Sequence, residues 1–201
     1  MQATPTLWII AGPNGVGKTT YAFRHIRAVA GTTRFVNLDE IARGLSPLEP
    51  EAGQRRAARV ALELVHALID EGRSFSMETP LSGRTHLRTI ERAREAGFAA
   101  TLLFFGVRSP EICLARIARR VSEGGHDVPE ADVRRRFGRA VGNLRDYIEA
   151  VDLWRVFDNN GGRPEAVGEG RQGCVAMLRA TDGLPPSVAE ALGRLPPCPE
   201  A

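Results

Sequence analysis

Short apolar runs alternate with longer amphipathic stretches along this chain. Residues 6–11 form one apolar run, and residues 99–106 form another that is apolar on both faces, as in strands buried within a parallel sheet. Weaker runs over 33–37, 74–77 and 154–157 predict three more strands. Because helical patterns separate these runs, we expect the α/β class, with a parallel sheet between two layers of helices.

Apolar positions at helical spacing fill the intervals between these runs. They predict helices over 18–30, 50–71, 83–96, 110–122 and 132–151. From about residue 183 the chain is rich in proline, which predicts a loosely ordered tail. The expected organisation is therefore one domain over 1–182 and a tail over 183–201.

A glycine-rich loop joins the first predicted strand to the first predicted helix. Its glycines allow backbone N–H groups to turn inward around an anion, and the helix adds the positive end of its dipole. Lys18 is expected to reach the β- and γ-phosphates of ATP or GTP, and Thr19 to reach Mg²⁺. The predicted nucleotide-binding residues of this complete Walker A pattern are Gly12, Pro13, Asn14, Gly15, Val16, Gly17, Lys18, Thr19 and Thr20.

Composition supports the use of this loop. The chain has 27 lysines and arginines, and Lys18 is its only lysine. A planar guanidinium is too wide for the place between the phosphates, which explains why a lysine stands there in a chain that otherwise uses arginine.

Apolar runs, the first residues and the cysteines indicate the cellular compartment that we expect. No apolar run approaches the ~20 residues of a membrane span, and the first residues lack the basic region of a signal peptide. We therefore expect a cytoplasmic protein without a membrane partner. Cys113, Cys174 and Cys198 lie far apart and lack metal-ligand spacing, so free thiols are predicted, with Cys198 exposed in the tail.

Polar residues follow the predicted strands, at the sheet edge where ligands of α/β proteins bind. Asp39 could act as a general base toward an acceptor hydroxyl, or could cap a helix near Ile41. Glu78 could contact Mg²⁺ or the acceptor, or could be an exposed carboxylate. Thr79 could contact substrate or form a turn, and Asn159 could contact a nucleotide base or form a turn.

Two groups of arginines flank a glycine-containing connection over 124–129. They are Arg116, Arg119 and Arg120 before it, and Arg134, Arg135, Arg136 and Arg139 after it. We interpret residues of about 116–139 as a lid that brings cations to the transferred phosphoryl group. His126 in the connection could contact substrate or be an ordinary surface residue.

Several segments together resemble one known family, the zeta toxin family of P-loop kinases. The segments are AGPNGVGKT (11–19), NLDEIA (37–42), ETPLSG (78–83), GGHDVP (124–129) and RRRF (134–137). The resemblance covers roughly residues 6–160. The short, stand-alone members of the family are the most similar. They share the compact stretch between the second and third strands and a lid sequence of this kind.

The resemblance implies a three-layer P-loop NTPase fold of the kinase type, with a parallel five-stranded sheet in the order 2-3-1-4-5. It also implies ATP and Mg²⁺ as cofactors and transfer of the γ-phosphoryl group to a small-molecule hydroxyl, in the best-known members that of UDP-N-acetylglucosamine. Asp39 matches the family's acceptor-activating aspartate and Lys18 its phosphate lysine. Arg120 and Arg134 match its two lid arginines.

Other functions stay open on the sequence. The protein could be a kinase of another small molecule or of a polynucleotide end, although nucleic acid is not the partner that we expect. It could also be a non-catalytic nucleotide-binding component that pairs with an antitoxin protein.

Overall fold

A single mixed β-sheet organises the described residues, which in this computed structural model are 4–125 and 127–199. Its strand order is β2-β3-β1-β4-β5-β6-β7. The strands are β1 (Thr6–Ala11), β2 (Phe35–Val36), β3 (Phe75–Thr79), β4 (Ala99–Gly106), β5 (Leu153–Asp158), β6 (Glu165–Arg171) and β7 (Cys174–Leu178).

Helices connect the strands from β1 to β5, as the hydrophobic pattern predicted, and a further helix follows β7. They are α1 (Lys18–Ala30), α2 (Leu38–Leu45), α3 (Pro50–Asp70), α4 (Thr85–Glu95), α5 (Pro110–Ser122), α6 (Glu130–Ala150) and α7 (Pro186–Gly193). The α/β class is confirmed, and α1 and α5 have the predicted bounds. The sequence analysis did not identify α7, and it left α2 without bounds.

The register of the parallel strands brings the functional segments to one edge. Ile10 of β1 lies beside Glu78 of β3 on one side and beside Leu103 of β4 on the other. Ile10 and Leu103 are buried, as expected for strands covered on both faces. The carboxyl ends of β1, β3 and β4 therefore meet at one edge, where the loop after β1 begins.

The predicted sheet of five parallel strands is wrong in strand number and in direction. β1 to β5 are parallel, but β6 pairs antiparallel with β5, and β7 pairs antiparallel with β6. Glycines weaken the strand pattern of β6, but the Trp154 ring packs against two of them and leaves little space for a side chain. A Cβ on Gly168 would lie 3.4 Å from this ring, and one on Gly170 would lie 2.7 Å from it.

The predicted loose tail is also wrong for the described residues. Helix α7 packs against α6 and buries Val188 and Leu192. The chain then returns to β7, where the Val175 N–H donates to the Pro196 carbonyl and the Cys198 N–H donates to the Val175 carbonyl. The proline-rich segment is thus attached to the sheet edge by backbone hydrogen bonds.

The cysteines correct the expectation of three free thiols. Cys174 and Cys198 form a disulfide that joins β7 to this last segment. Cys113 is a buried free thiol in α5, and burial raises its pKa to about 11. A spacing of 24 residues carries no signal for this pairing, because the fold of the sheet edge brings the two cysteines together.

Thiol titration tests this arrangement. In denaturant without reductant we expect one reactive thiol per chain, that of Cys113, and three after reduction. In the native protein at pH 8 almost none should react, because Cys113 is buried and its pKa is about 11. Three thiols in denaturant without reductant would contradict the disulfide.

Candidate active site

The loop after β1 has a backbone shape that only glycine adopts without strain. Gly12, Gly15 and Gly17 have positive φ values of 138°, 79° and 101°. Their surroundings also leave no room for a side chain: a Cβ on Gly15 would lie 2.6 Å from the Cys113 carbonyl, and one on Gly17 would lie 2.8 Å from the Asn159 side chain. This close packing gives the loop one shape, which suits an anion cradle.

Lys18, the first residue of α1, lies buried beneath this loop. Lys18 is 5% exposed, and its Nζ donates to the Pro13 carbonyl at 3.0 Å. Glu78 Oε1 lies 3.6 Å from the same Nζ. The ammonium is therefore held between a loop carbonyl and a carboxylate, at the place where the sequence pattern expects the phosphates.

Glu78, near the end of β3, joins three elements of the site. Its Oε2 accepts from the Thr19 hydroxyl at 2.8 Å and from the Asn37 side-chain amide at 2.8 Å. A hydroxyl and a carboxylate side by side fit Mg²⁺, which keeps several waters and takes few protein ligands besides phosphate oxygens. Within residues 4–125 and 127–199 no cluster of three His, Cys, Asp or Glu side chains could hold a metal ion alone.

Asn37, which the sequence analysis did not single out, caps α2. Its side-chain oxygen accepts from the backbone N–H groups of Asp39 and Glu40 at 2.9 and 3.1 Å. The alternative that Asp39 itself caps this helix is therefore wrong. The favoured capping residue directly before Leu38 was the signal available in the sequence.

Two adjoining cavities open at this edge, and Asp39 lines both. The larger, of about 750 Å³, is lined by residues that include Asn14, Gly15, Gly17, Lys18, Thr19, Thr20, Glu78 and Asn159. The smaller, of about 240 Å³, is lined by Thr19, Thr20, Phe23, Asn37, Asp39, Glu40, Ala42, Arg43, Gln54 and Arg120. The shared residues are Thr19, Thr20, Asp39 and Arg120, so these four mark the junction between the cavities.

Three of the predicted nucleotide-binding residues lie behind the loop surface. Gly12, Pro13 and Val16 are buried and do not line either cavity. Pro13 and Val16 contribute their carbonyls as acceptors, the first to Lys18 and the second to Asn159. Their contribution is to the shape of the loop.

The predicted lid arginines occupy different surroundings. Arg120 lines both cavities. Arg134 lies on the exposed face of α6, in ion pairs with Glu111 at 2.7 Å and Glu130 at 2.8 Å. Hydrogen bonds from Ser109 and then from Arg134 lower the pKa of Glu111 to about 2, so the pair with Arg134 stays charged at neutral pH.

The structure changes the interpretation of two more predicted residues. Thr79 is 2% exposed, and its hydroxyl accepts from the Leu81 N–H, so the predicted substrate contact is wrong and the turn alternative holds. Asn159 lies under the loop, where its side-chain amide donates to the Val16 carbonyl at 2.7 Å. His126 lies outside the described residues.

Further residues of the larger cavity were missed. They are Tyr21, Arg24, His25, Ile117, Glu123, Gly162, Arg163 and Pro164. Those on α1 follow Lys18 at helical spacing, which is the one sequence signal that could have pointed to them.

Comparison with known proteins agrees with this geometry. Residues 7–139 match the model of a family described as an AAA domain. The chain belongs to this family. An uncharacterised protein of Haemophilus influenzae is 34% identical over 138 residues, which are 65% of this chain and 96% of that protein.

Solved structures extend the likeness to the fold of the whole chain. A structure of the PezAT chromosomal toxin–antitoxin system of Streptococcus pneumoniae matches with a TM-score of 0.70 at 16% identity, over 97% of this chain and 79% of that one. The complex of AvrRxo1-ORF1 and ORF2 with ATP matches with a TM-score of 0.68 at 19% identity, over 97% of this chain and 64% of that one. At these identities the likeness is one of fold, and it agrees with the P-loop fold of the kinase type that the sequence resemblance implied. No helix of residues 4–125 or 127–199 has the length and apolar character of a membrane span.

Replacement of Lys18 tests the phosphate cradle. Lys18→Ala should weaken ATP binding by about tenfold or more, because a charge-assisted contact in a buried site is lost. Lys18→Arg should restore little, because a planar guanidinium is wider than the ammonium that the place between the phosphates accepts. Arg145→Ala, which removes an exposed cation paired with Glu149, is the control. Unchanged ATP affinity in Lys18→Ala, measured by titration, would contradict the cradle.

Proposed function

We propose that the protein is an ATP-dependent phosphotransferase that phosphorylates a hydroxyl group of a small molecule. One observation carries this proposal: Asp39 lines both the larger cavity, which contains the phosphate loop, and the smaller one beside it. A carboxylate at this junction stands between a place for a nucleotide and a place for an acceptor. At this position a carboxylate can accept the proton of an acceptor hydroxyl, a role that binding of nucleotide alone does not require.

The residues of the larger cavity fit ATP with Mg²⁺. The bound nucleotide would supply the γ-phosphoryl group, and the metal ion would neutralise its charge. The loop and Lys18 would hold the phosphates, while Thr19 and Glu78 would position the metal ion. The AvrRxo1 complex contains ATP, which supports the same nucleotide for this chain.

Asp39 would act on the acceptor. It lies in the first turn of α2, and within the described residues its carboxylate makes no hydrogen bond or ion pair in the structure. Because Asn37 caps the helix, the carboxylate of Asp39 is not needed for that task. It can accept the proton of an acceptor hydroxyl as that oxygen attacks phosphorus.

The smaller cavity limits the acceptor. Its volume of about 240 Å³ is below the 300–1,000 Å³ of sites that enclose drug-sized ligands. We propose that it holds one sugar-sized group, either free or at the end of a larger molecule such as UDP-N-acetylglucosamine. The likeness to a toxin–antitoxin structure supports a further proposal, that an antitoxin protein regulates this activity.

Arg120 and Arg134 are the proposed lid cations. Arg120 lines the junction between the cavities, where charge would develop during transfer. Arg134 would have to exchange Glu111 and Glu130 for phosphate oxygens when the lid closes.

Asp39→Asn is the decisive variant. With ATP, Mg²⁺ and a panel of sugars, nucleotide sugars, nucleosides and 5′-hydroxyl oligonucleotides, mass spectrometry should show one acceptor class that gains one phosphoryl group. On that acceptor, Asp39→Asn should lower kcat by roughly 10²–10⁴-fold, since a general base is lost. ATP affinity should change little.

Stability separates this result from a structural defect. Asp39→Asn should change the free energy of unfolding by less than about 1 kcal/mol, because only a favourable charge near the helix N-terminus is lost. Asp70→Asn, which removes an exposed carboxylate paired with Arg92, is the control and should keep full activity. Full turnover by Asp39→Asn would remove Asp39 from the mechanism.

The lid arginines have their own test. Arg120→Ala and Arg134→Ala should lower kcat more than they weaken ATP binding, because the charge that they meet develops in the transition state. Arg145→Ala, which removes the exposed partner of Glu149, is again the control. A variant that keeps wild-type kcat would show that the arginine replaced has no role in transfer.

A further inference from the structure

One peptide carbonyl of the phosphate loop is held by two side chains from distant segments. The carbonyl of Val16 accepts from the Asn159 side-chain amide at 2.7 Å and from the Arg116 guanidinium at 3.3 Å. Val16 is fully buried and Asn159 is 5% exposed, so water does not compete freely for these bonds.

Arg116 is itself fixed by backbone carbonyls. Its second terminal nitrogen donates to the Asn159 carbonyl at 2.7 Å and to the Asn160 carbonyl at 3.0 Å. The guanidinium thus joins the loop after β1 to the turn after β5. Arg120, one helical turn later on α5, lines both cavities, whereas Arg116 lines only the larger one and its terminal nitrogens donate to these carbonyls.

The orientation of the Val16 carbonyl also fixes the orientation of the Gly17 N–H. A trans peptide is planar, and its C=O and N–H point to opposite sides. The peptide that carries the Val16 carbonyl also carries the Gly17 N–H. Gly17 lines the larger cavity, and its N–H donates no backbone hydrogen bond within residues 4–125 and 127–199. We propose that Arg116 and Asn159 are positioning residues that turn the Gly17 N–H toward the β-phosphate of a bound nucleotide.

The loop needs such a restraint because of its own sequence. Gly17 has a φ of 101°, and glycine adopts conformations of either sign at little cost. A rotated Val16–Gly17 peptide would present a carbonyl oxygen to the phosphate, and two negative groups would then face each other. The two donors favour the orientation that leaves the N–H available.

The turn that carries Asn159 is held from the C-terminal segment. The Asn160 N–H donates to Asp158 Oδ1 at 2.8 Å, and the Asn160 side-chain amide donates to the Gly183 carbonyl. A Cβ on Gly183 would collide with the Asp158 carboxylate, so the segment before α7 fits closely against this turn. The restraint on the phosphate loop therefore includes residues beyond the predicted domain boundary.

Comparison of ADP with AMP isolates the effect, because the loop backbone cradles the phosphates beyond the first. In titrations of the full chain, Arg116→Ala and Asn159→Ala should each weaken ADP binding by roughly 10- to 100-fold, the scale of a lost charge-assisted or buried hydrogen bond. AMP binding should weaken much less. Asn159→Asp, which replaces the donor by an oxygen of equal size, should behave like Asn159→Ala, whereas Arg116→Lys should retain part of the ADP affinity. Arg145→Ala is the control.

The positioning role would be contradicted if the ADP and AMP affinities of these variants fell by the same factor, or if their ADP affinity stayed at the wild-type value. Thermal midpoints are measured in parallel, and Arg116→Lys and Asn159→Asp carry the test if the alanine variants do not fold. The inference rests on the proposed function only in requiring a nucleotide phosphate at the loop. If the variants show that ADP affinity depends on Arg116 and Asn159 but the wild-type protein phosphorylates no acceptor, the positioning role stands and the proposed function fails.

Discussion

The site depends on how closely the phosphate loop packs against the elements around it. A Cβ on Gly12 would collide with the Phe105 carbonyl in β4, and one on Gly15 would press on the Cys113 carbonyl in α5. The loop can lie this deep only because these positions carry no side chain. Its backbone is therefore fixed by contacts with the sheet and a helix, and its N–H groups need little reorganisation to meet an anion.

Burial of Lys18 imposes a second constraint, because an isolated ammonium in such a place would be strongly destabilising. Glu78 compensates that charge at 3.6 Å and also accepts from Thr19 and Asn37. One carboxylate thus holds the start of α1 and the start of α2 at the end of β3. The same contacts set the distance between the phosphate loop and Asp39.

Local signals were sufficient for much of the fold. Gly31 ends α1 and Pro110 begins α5 at the predicted residues, because caps act through the backbone of their own segment. β6 and β7 were missed because contacts with distant residues, and not a local pattern, explain their sequence. Gly168 and Gly170 look like loop residues until the Trp154 ring is placed over them. The disulfide and α7 were missed for the same reason, since their partners lie far away in the sequence.

The site was predictable where sheet topology alone decides position, and less so where side-chain direction matters. Asp39 and Glu78 follow strands that end at one edge, so their proximity could be inferred. Arg116 and Arg120 share a helix face and both line the larger cavity, and spacing alone could not show that Arg116 donates to three carbonyls. Because Arg116 ties the loop to the turn that Gly183 supports, the phosphate site depends on the segment that the sequence pattern assigned to a loose tail. In this fold the C-terminal segment is part of the scaffold of the candidate site.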